Sequence, residues 1–137
     1  MKYKLLASDI DGTLIDPAQR LTDATAAAIE RFKRAGGIFT IATGRPLMGV
    51  SKYLPLVSPL TPVITYNGAM IIIPENGEIV YEQTLEPTAA LELIRRGAEL
   101  GVMMVLWSKN ELYTSEINEA FKDVDNFATM LYNIVKT

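Results

Sequence analysis

Leu5-Leu6-Ala7-Ser8-Asp9-Ile10-Asp11-Gly12-Thr13-Leu14 is the stretch on which the fold turns. A short apolar run leads into two carboxylates one residue apart, then a glycine and a hydroxyl. A strand buried in a parallel sheet reads as a near-continuous apolar run. Side chains alternate along a strand, so Asp9 and Asp11 set out on the same side. Gly12 permits the backbone conformation that ends the strand and opens a loop. Two like charges this close repel unless something positive stands beside them. A divalent cation is the simplest remedy, and hard cations prefer oxygen ligands. A carboxylate next to such an ion is placed to attack phosphorus and form an aspartyl-phosphate. Its neighbour is placed to move a proton between leaving group and water. Asp-x-Asp-Gly also occurs in calcium loops and in ordinary turns. An EF-hand needs an upstream helix, a third oxygen ligand before its glycine and a late glutamate. The chain has a strand-like run before the aspartates instead.

The chain has 137 residues, 49% hydrophobic and 21% charged, as expected of one folded soluble domain rather than a disordered segment. A net charge of -3 makes no electrostatic case for nucleic acid or an anionic membrane. There is no cysteine, so disulfides and thiolate metal sites are excluded. There is no histidine, which excludes a His-based triad or zinc site. Chemistry therefore rests on carboxylates, hydroxyls, amides, Lys or Arg. With no leader-like or membrane-spanning apolar stretch, a cytoplasmic location is the expectation.

Outward from the opening motif, residues 3–9 read as the first strand and 10–21 as a loop. Thr22 is a good N-cap, and Asp23 suits the first turn of a helix whose apolar face is Ala28, Ile29, Phe32 and Ala35. Gly36-Gly37 closes it, and Ile38–Ala42 is a second strand, which makes a βαβ unit with a parallel pair. Thr43-Gly44-Arg45-Pro46 follows at that strand's C-terminal end, where open α/β sheets bind ligands. Thr43 also reads as a plain N-cap, and Arg45 as a solvated helix-start residue. A short helix over 46–54 is expected to stop at Pro55. Val63–Tyr66 is the third strand, ending in Asn67-Gly68, which is more often only a turn. Met70–Ile73 and Glu78–Tyr81 flank Asn76-Gly77, a strong hairpin signal. A helix opens at Glu86-Pro87-Thr88, with Leu91, Ile94, Ala98 and, on the flank, Leu100 as its buried stripe and Gly101 as its end. Val102–Trp107 and Glu111–Thr114 read as an antiparallel pair, and Phe121 to Val135 as helical packing.

Asp9-Ile10-Asp11-Gly12-Thr13-Leu14 resembles the first signature of the haloacid dehalogenase (HAD) superfamily of phosphatases and phosphotransferases. Thr43-Gly44-Arg45 resembles its second signature in the form typical of the Cof-like sugar-phosphatase branch, where an Asn-Gly like Asn67-Gly68 lines the substrate pocket. The resemblance implies an α/β fold: a Rossmann-like parallel core over residues 1–84 and the beginning of an inserted α/β cap over 85–137. It implies hydrolysis of small phosphate monoesters with Mg2+. Asp9 would be nucleophile and metal ligand; Asp11 would be acid and base, its backbone carbonyl a second ligand. Thr43, Gly44, Arg45, Asn67 and Gly12 would bind the substrate, a small phosphorylated metabolite.

The family's catalytic lysine and its later acidic signature have no match after residue 115. Lys122 and Lys136 lack the right surroundings, and Asp123 and Asp125 fall in a stretch read as helical, where i and i+2 do not face each other. The chain is therefore expected to be a piece of a longer enzyme or a short relative. An inactive phosphate- or Mg-binding or interaction module is the rival reading. An uncovered sheet edge, inviting homo-oligomers, is the structural expectation.

Overall fold

The computed structural model describes residues 2–108 and 111–114, and the backbone of 132–134. The chain divides into two compact units, Met1–Gln83 and Thr84–Thr137.

The described residues of the first unit hold five strands and one α-helix. β1 (Leu5–Ser8) pairs in parallel with β2 (Ile38–Ile41), Leu5 facing Ile38 and Ser8 facing Ile41. The parallel order continues through an Ala42–Ile64 bridge to β3 (Val63–Thr65). β3 then pairs antiparallel with β4 (Met70–Ile73), and β4 with β5 (Glu78–Glu82). The hairpin between β4 and β5 closes as its sequence requires: Gly77 takes φ 74° and its N–H donates to Ile73 O.

α1 (Asp23–Arg34) joins β1 to β2. The Thr22 hydroxyl accepts from the Thr25 N–H at 3.2 Å, the expected N-cap. The buried face centres on Ile29, with Thr25, Ala26, Phe32 and Lys33 half-buried beside it. Ala28 and Ala35, expected on that face, are exposed. Ala28 lies about 100° and Ala35 about 120° around the helix from Ile29, and small alanines leave the choice of face to their larger neighbours. Lys33 lays its stem along the protein and carries its ammonium to Glu30 and the Leu56 carbonyl.

The core gathers Ile10, Leu14, Ile29, Phe39, Ile41, Val50, Tyr53 and Val63. Val50 and Tyr53 come from Leu47–Leu56, which is wound as tight 3-10 turns and runs through Pro55. A stop at Pro55 was expected; the proline is accommodated because its fixed φ near -65° already suits a 3-10 turn. Among the described residues β1 carries no such cover. Leu5 and Leu6 are 59% and 44% exposed, and among the described residues only β2 pairs with this strand.

In the second unit, α2 (Pro87–Leu100) starts on its proline and ends on Gly101 at φ 62°. The N–H groups of Gly101 and Val102 return to the carbonyls of Ala98 and Gly97 and close the last turn. That use of Val102 explains why β6 begins only at Val105 and runs to Ser108. β6 pairs antiparallel with β7 (Glu111–Thr114). The inward face of α2 runs through Ala90, Ile94 and Gly97, where Gly97 leaves room for the Met104 side chain. Of the expected stripe Ile94 faces inward, but Leu91 and Leu100 are 66% and 75% exposed and Ala98 is exposed too, the helix turning Gly97 toward Met104 instead. β8 (Tyr132–Ile134) pairs parallel with β7, where helix was expected. Strand pairing with β7 overrides the helical spacing of this short run. Phe121, Val124, Phe127, Met130, Leu131 and Val135, with Lys122, Asp123, Asp125 and Lys136, lie outside the described residues. Among the described residues no helix is long and apolar enough to cross a membrane.

Phe39→Ala is expected to lower unfolding stability by about 3–5 kcal/mol, since it empties the centre of the core. Thr22→Ala should lower it by about 1 kcal/mol through loss of the cap. Urea unfolding followed by circular dichroism measures both.

Candidate active site

Just past the end of β1 the side chains alternate between solvent and core. Asp9 is exposed, Ile10 is completely buried, and Asp11 is exposed again. The two carboxylates therefore flank a side chain anchored in the core. The backbone stays extended at Asp9 (φ -69°, ψ 161°) and at Asp11 (φ -74°, ψ 120°). Gly12 then turns left-handed (φ 70°), and the Ile15 N–H donates to Ile10 O at 3.1 Å, closing a wide turn. Gly12 is needed there because a side chain is strained at that φ.

Parallel register brings the ends of β1, β2 and β3 together. The Ala42 N–H donates to Ser8 O at 2.9 Å, and the Thr43 N–H to Ile64 O at 2.9 Å. The Asn67 N–H donates to Thr43 O, and the Tyr66 N–H to Arg45 O, each at 3.1 Å. A Cβ built on Gly44 would lie 2.8 Å from Asn67 Oδ1, so only glycine leaves the Asn67 amide where it is. Thr43 is buried, and its hydroxyl oxygen accepts the Arg45 N–H at 3.2 Å. That bond leaves the hydroxyl proton available for donation.

Arg45 is buried and reaches back to the first motif. Its Nε donates to Asp11 Oδ2 at 2.8 Å and its Nη2 to Asp11 Oδ1 at 2.6 Å, a bidentate pair. Nη1 donates to Gly49 O at 3.2 Å, and the guanidinium carbon stands 5.9 Å from the Tyr53 ring centre. The Arg45 side chain is 4% exposed and that of Asp11 45%. The Arg45 hydrogen bonds, aided by its charge and that of Lys52, hold the Asp11 carboxyl below its usual range against the cost of burial. The same bonds raise the Arg45 pKa.

The structure thus brings Asp11 and Arg45 into direct contact, and Thr43, Gly44 and Asn67 into a second cluster at the adjoining strand ends. Two participants carried no signal in the sequence reading. Tyr53 and the Gly49 carbonyl support Arg45 from eight and four residues downstream. Tyr66 takes φ 51°, beside Asn67 at 55° and Gly68 at 94°. A bulky residue at positive φ is uncommon, and such strain concentrates at functional sites. Burial raises the Tyr66 phenol pKa. Among the described residues no three carboxylates cluster as a metal cage.

Paired acids at the C-terminal end of a parallel strand, with a Thr-Gly at the next strand end, form the candidate site of this α/β unit. The chain belongs to the haloacid dehalogenase-like hydrolases, whose family profile matches residues 6–136. It is 36% identical over 121 residues to the provisionally named phosphatase M6_Spy0533 of Streptococcus pyogenes, covering 86% of this chain and 45% of that protein. It is 34% identical over 115 residues to the provisionally named phosphatase YxeH of Bacillus subtilis, covering 82% and 43%. The solved structure of the HAD subclass IIB sugar phosphatase BT4131 superposes with a TM-score of 0.81 at 26% identity, covering 96% of this chain and 52% of that one. The chain spans about half the length of the relatives it matches. Members of the superfamily commonly use Mg2+.

Asp11→Asn removes the anion facing a buried guanidinium. With Asp11 half in water, the expected loss at neutral pH is about 1–3 kcal/mol, less than for a fully buried pair. The folded-state pKa of Asp11 is depressed, so its contribution is complete above the ordinary value of 3.8 and disappears as pH falls through the lower folded-state value. Urea unfolding of both proteins at pH 7 and under strongly acidic conditions should show the stability gap closing in acid.

Proposed function

We propose that the chain carries the phosphoryl-accepting part of a Mg-dependent phosphatase of the Cof-like branch. Its substrates are small phosphate monoesters, sugar phosphates among them. The observation that carries this reading is the pair of exposed acids around buried Ile10, adjoining Thr43, Gly44 and Asn67. Asp9 is the nucleophile: its carboxylate oxygen attacks phosphorus and forms an aspartyl-phosphate as the P–O bond to the leaving group breaks. Asp11 moves the proton between leaving group and attacking water. The Thr43 hydroxyl and the amides near Gly44 and Gly12 hold the phosphoryl oxygens, and Asn67 meets the substrate beyond them. Residues 1–84 are a portion of the catalytic core and 85–137 the beginning of the cap.

The oxygen donors present suit Mg2+, which binds through one or two carboxylates and keeps several waters. Arg45 holds the Asp11 carboxylate in a bidentate pair, and the fitting ligands are the Asp9 carboxylate and the Asp11 main-chain carbonyl. When bound, the ion neutralises charge building on the phosphoryl oxygens. The kinship to a sugar phosphatase and to provisionally named phosphatases supports the reaction class.

With Mg2+ and 4-nitrophenyl phosphate, the chain is expected to release phosphate, and Asp9→Asn to lower kcat by about 10³-fold or more. Beryllofluoride, which mimics an acyl-phosphate, should bind the parent chain and not Asp9→Asn. A second reading, phosphate or Mg2+ binding without turnover, draws on the lack of a third clustered carboxylate among the described residues. Calorimetric phosphate binding with no hydrolysis selects it; turnover by the purified chain removes it.

A further inference from the structure

We propose that Arg45 is a positioning residue for Asp11 and makes no contact with substrate; this rests on the phosphatase reading above. Three observations carry it. The first is access. The Arg45 side chain is 4% exposed, while the Asp11 carboxylate it holds is 45% exposed. A ligand arriving from solvent meets Asp11 first, with the guanidinium behind it.

The second is occupancy. Nε and Nη2 both go to Asp11, and Nη1 goes to the Gly49 carbonyl. Each guanidinium nitrogen thus already has a protein acceptor, and the Tyr53 ring lies along the group at 5.9 Å. The third is geometry. A planar fork on both oxygens of one carboxylate fixes its rotation as well as its place, which a single hydrogen bond does not do. Each carboxylate oxygen keeps further lone-pair directions toward solvent, so holding Asp11 in this way does not block it. Proton transfer needs the carboxylate within hydrogen-bond reach of the reacting oxygen, and the fork sets that direction.

The test is a double-mutant cycle on kcat and KM for 4-nitrophenyl phosphate with Mg2+, comparing the parent chain, Arg45→Gln, Asp11→Asn and the double variant. Gln is uncharged and so leaves no lone cation in the core; Arg45→Lys is the second variant if Arg45→Gln does not fold. The expected result is a fall in kcat of about 10–100-fold in Arg45→Gln, part of what proton transfer contributes, with KM within about threefold. The double variant should be no slower than Asp11→Asn alone, because Arg45 acts only through Asp11. A raised KM at unchanged kcat makes Arg45 a substrate contact and overturns the proposal. Losses that multiply in the double variant, or kcat unchanged per folded molecule, reduce Arg45 to a structural role and also overturn it. A parent chain without turnover fails the phosphatase reading itself, and the positioning role falls with it.

Discussion

A guanidinium taken out of water needs an anion, and a buried charge left unpaired costs several kcal/mol. Arg45 is in that position, and Asp11 answers it across 34 residues of sequence. The pair ties the turn after β1 to the segment after β2. It also gives the Leu47–Leu56 turns a reason to pack where they do, since they bring the Gly49 carbonyl and the Tyr53 ring to the same cation. A surface pair between long side chains contributes little. This one differs because one partner is nearly free of water and the contact is bidentate, so geometry and charge are specified together.

Around that tie, parallel register does the remaining placement. Hydrogen bonds from Ala42 to Ser8 and from Thr43 to Ile64 set the ends of three strands side by side. Adjacent ends in a parallel sheet point their loops the same way, which is why such sheets collect ligand sites there. Asn67 reaches Gly44 only because Tyr66, Asn67 and Gly68 all adopt left-handed backbone. Conformations of this kind persist where surrounding structure over-determines them. Here the Tyr66 and Asn67 N–H groups are pinned by the carbonyls of Arg45 and Thr43.

Most of the local structure was legible because local chemistry decides it. Thr22 caps α1, Asn76-Gly77 turns the hairpin, and Gly101 ends α2, each through bonds to residues a few positions away. The alternation of Asp9, Ile10 and Asp11 was legible for the same reason. What escaped the sequence depends on partners far along the chain. Arg45 reads as a solvated helix-start residue until Asp11 is seen beside it. Ala90 and Gly97, not Leu91 and Ala98, flank Ile94 on the inward face of α2; Gly97 looks like a weak helix residue, when it is the gap that admits Met104. β8 carries helical spacing, and only its pairing with β7 makes it a strand.

The two aspartates share a motif but not an environment, and that difference bears most on the proposed chemistry. Asp11 is fixed from behind by a buried cation. Asp9 is exposed and makes no ion pair among the described residues. Two carboxylates held in unlike surroundings are suited to unlike roles. A nucleophile needs an accessible oxygen and freedom to form a bond, which Asp9 has. A proton carrier needs a constant direction toward the reacting oxygen, which the fork on Asp11 provides. Exchanging the residues' surroundings would defeat both requirements: a nucleophile locked by two hydrogen bonds loses reactivity, and an untethered acid loses aim. Ile10, wholly buried between them, keeps the two environments apart by anchoring the backbone at the point where they diverge.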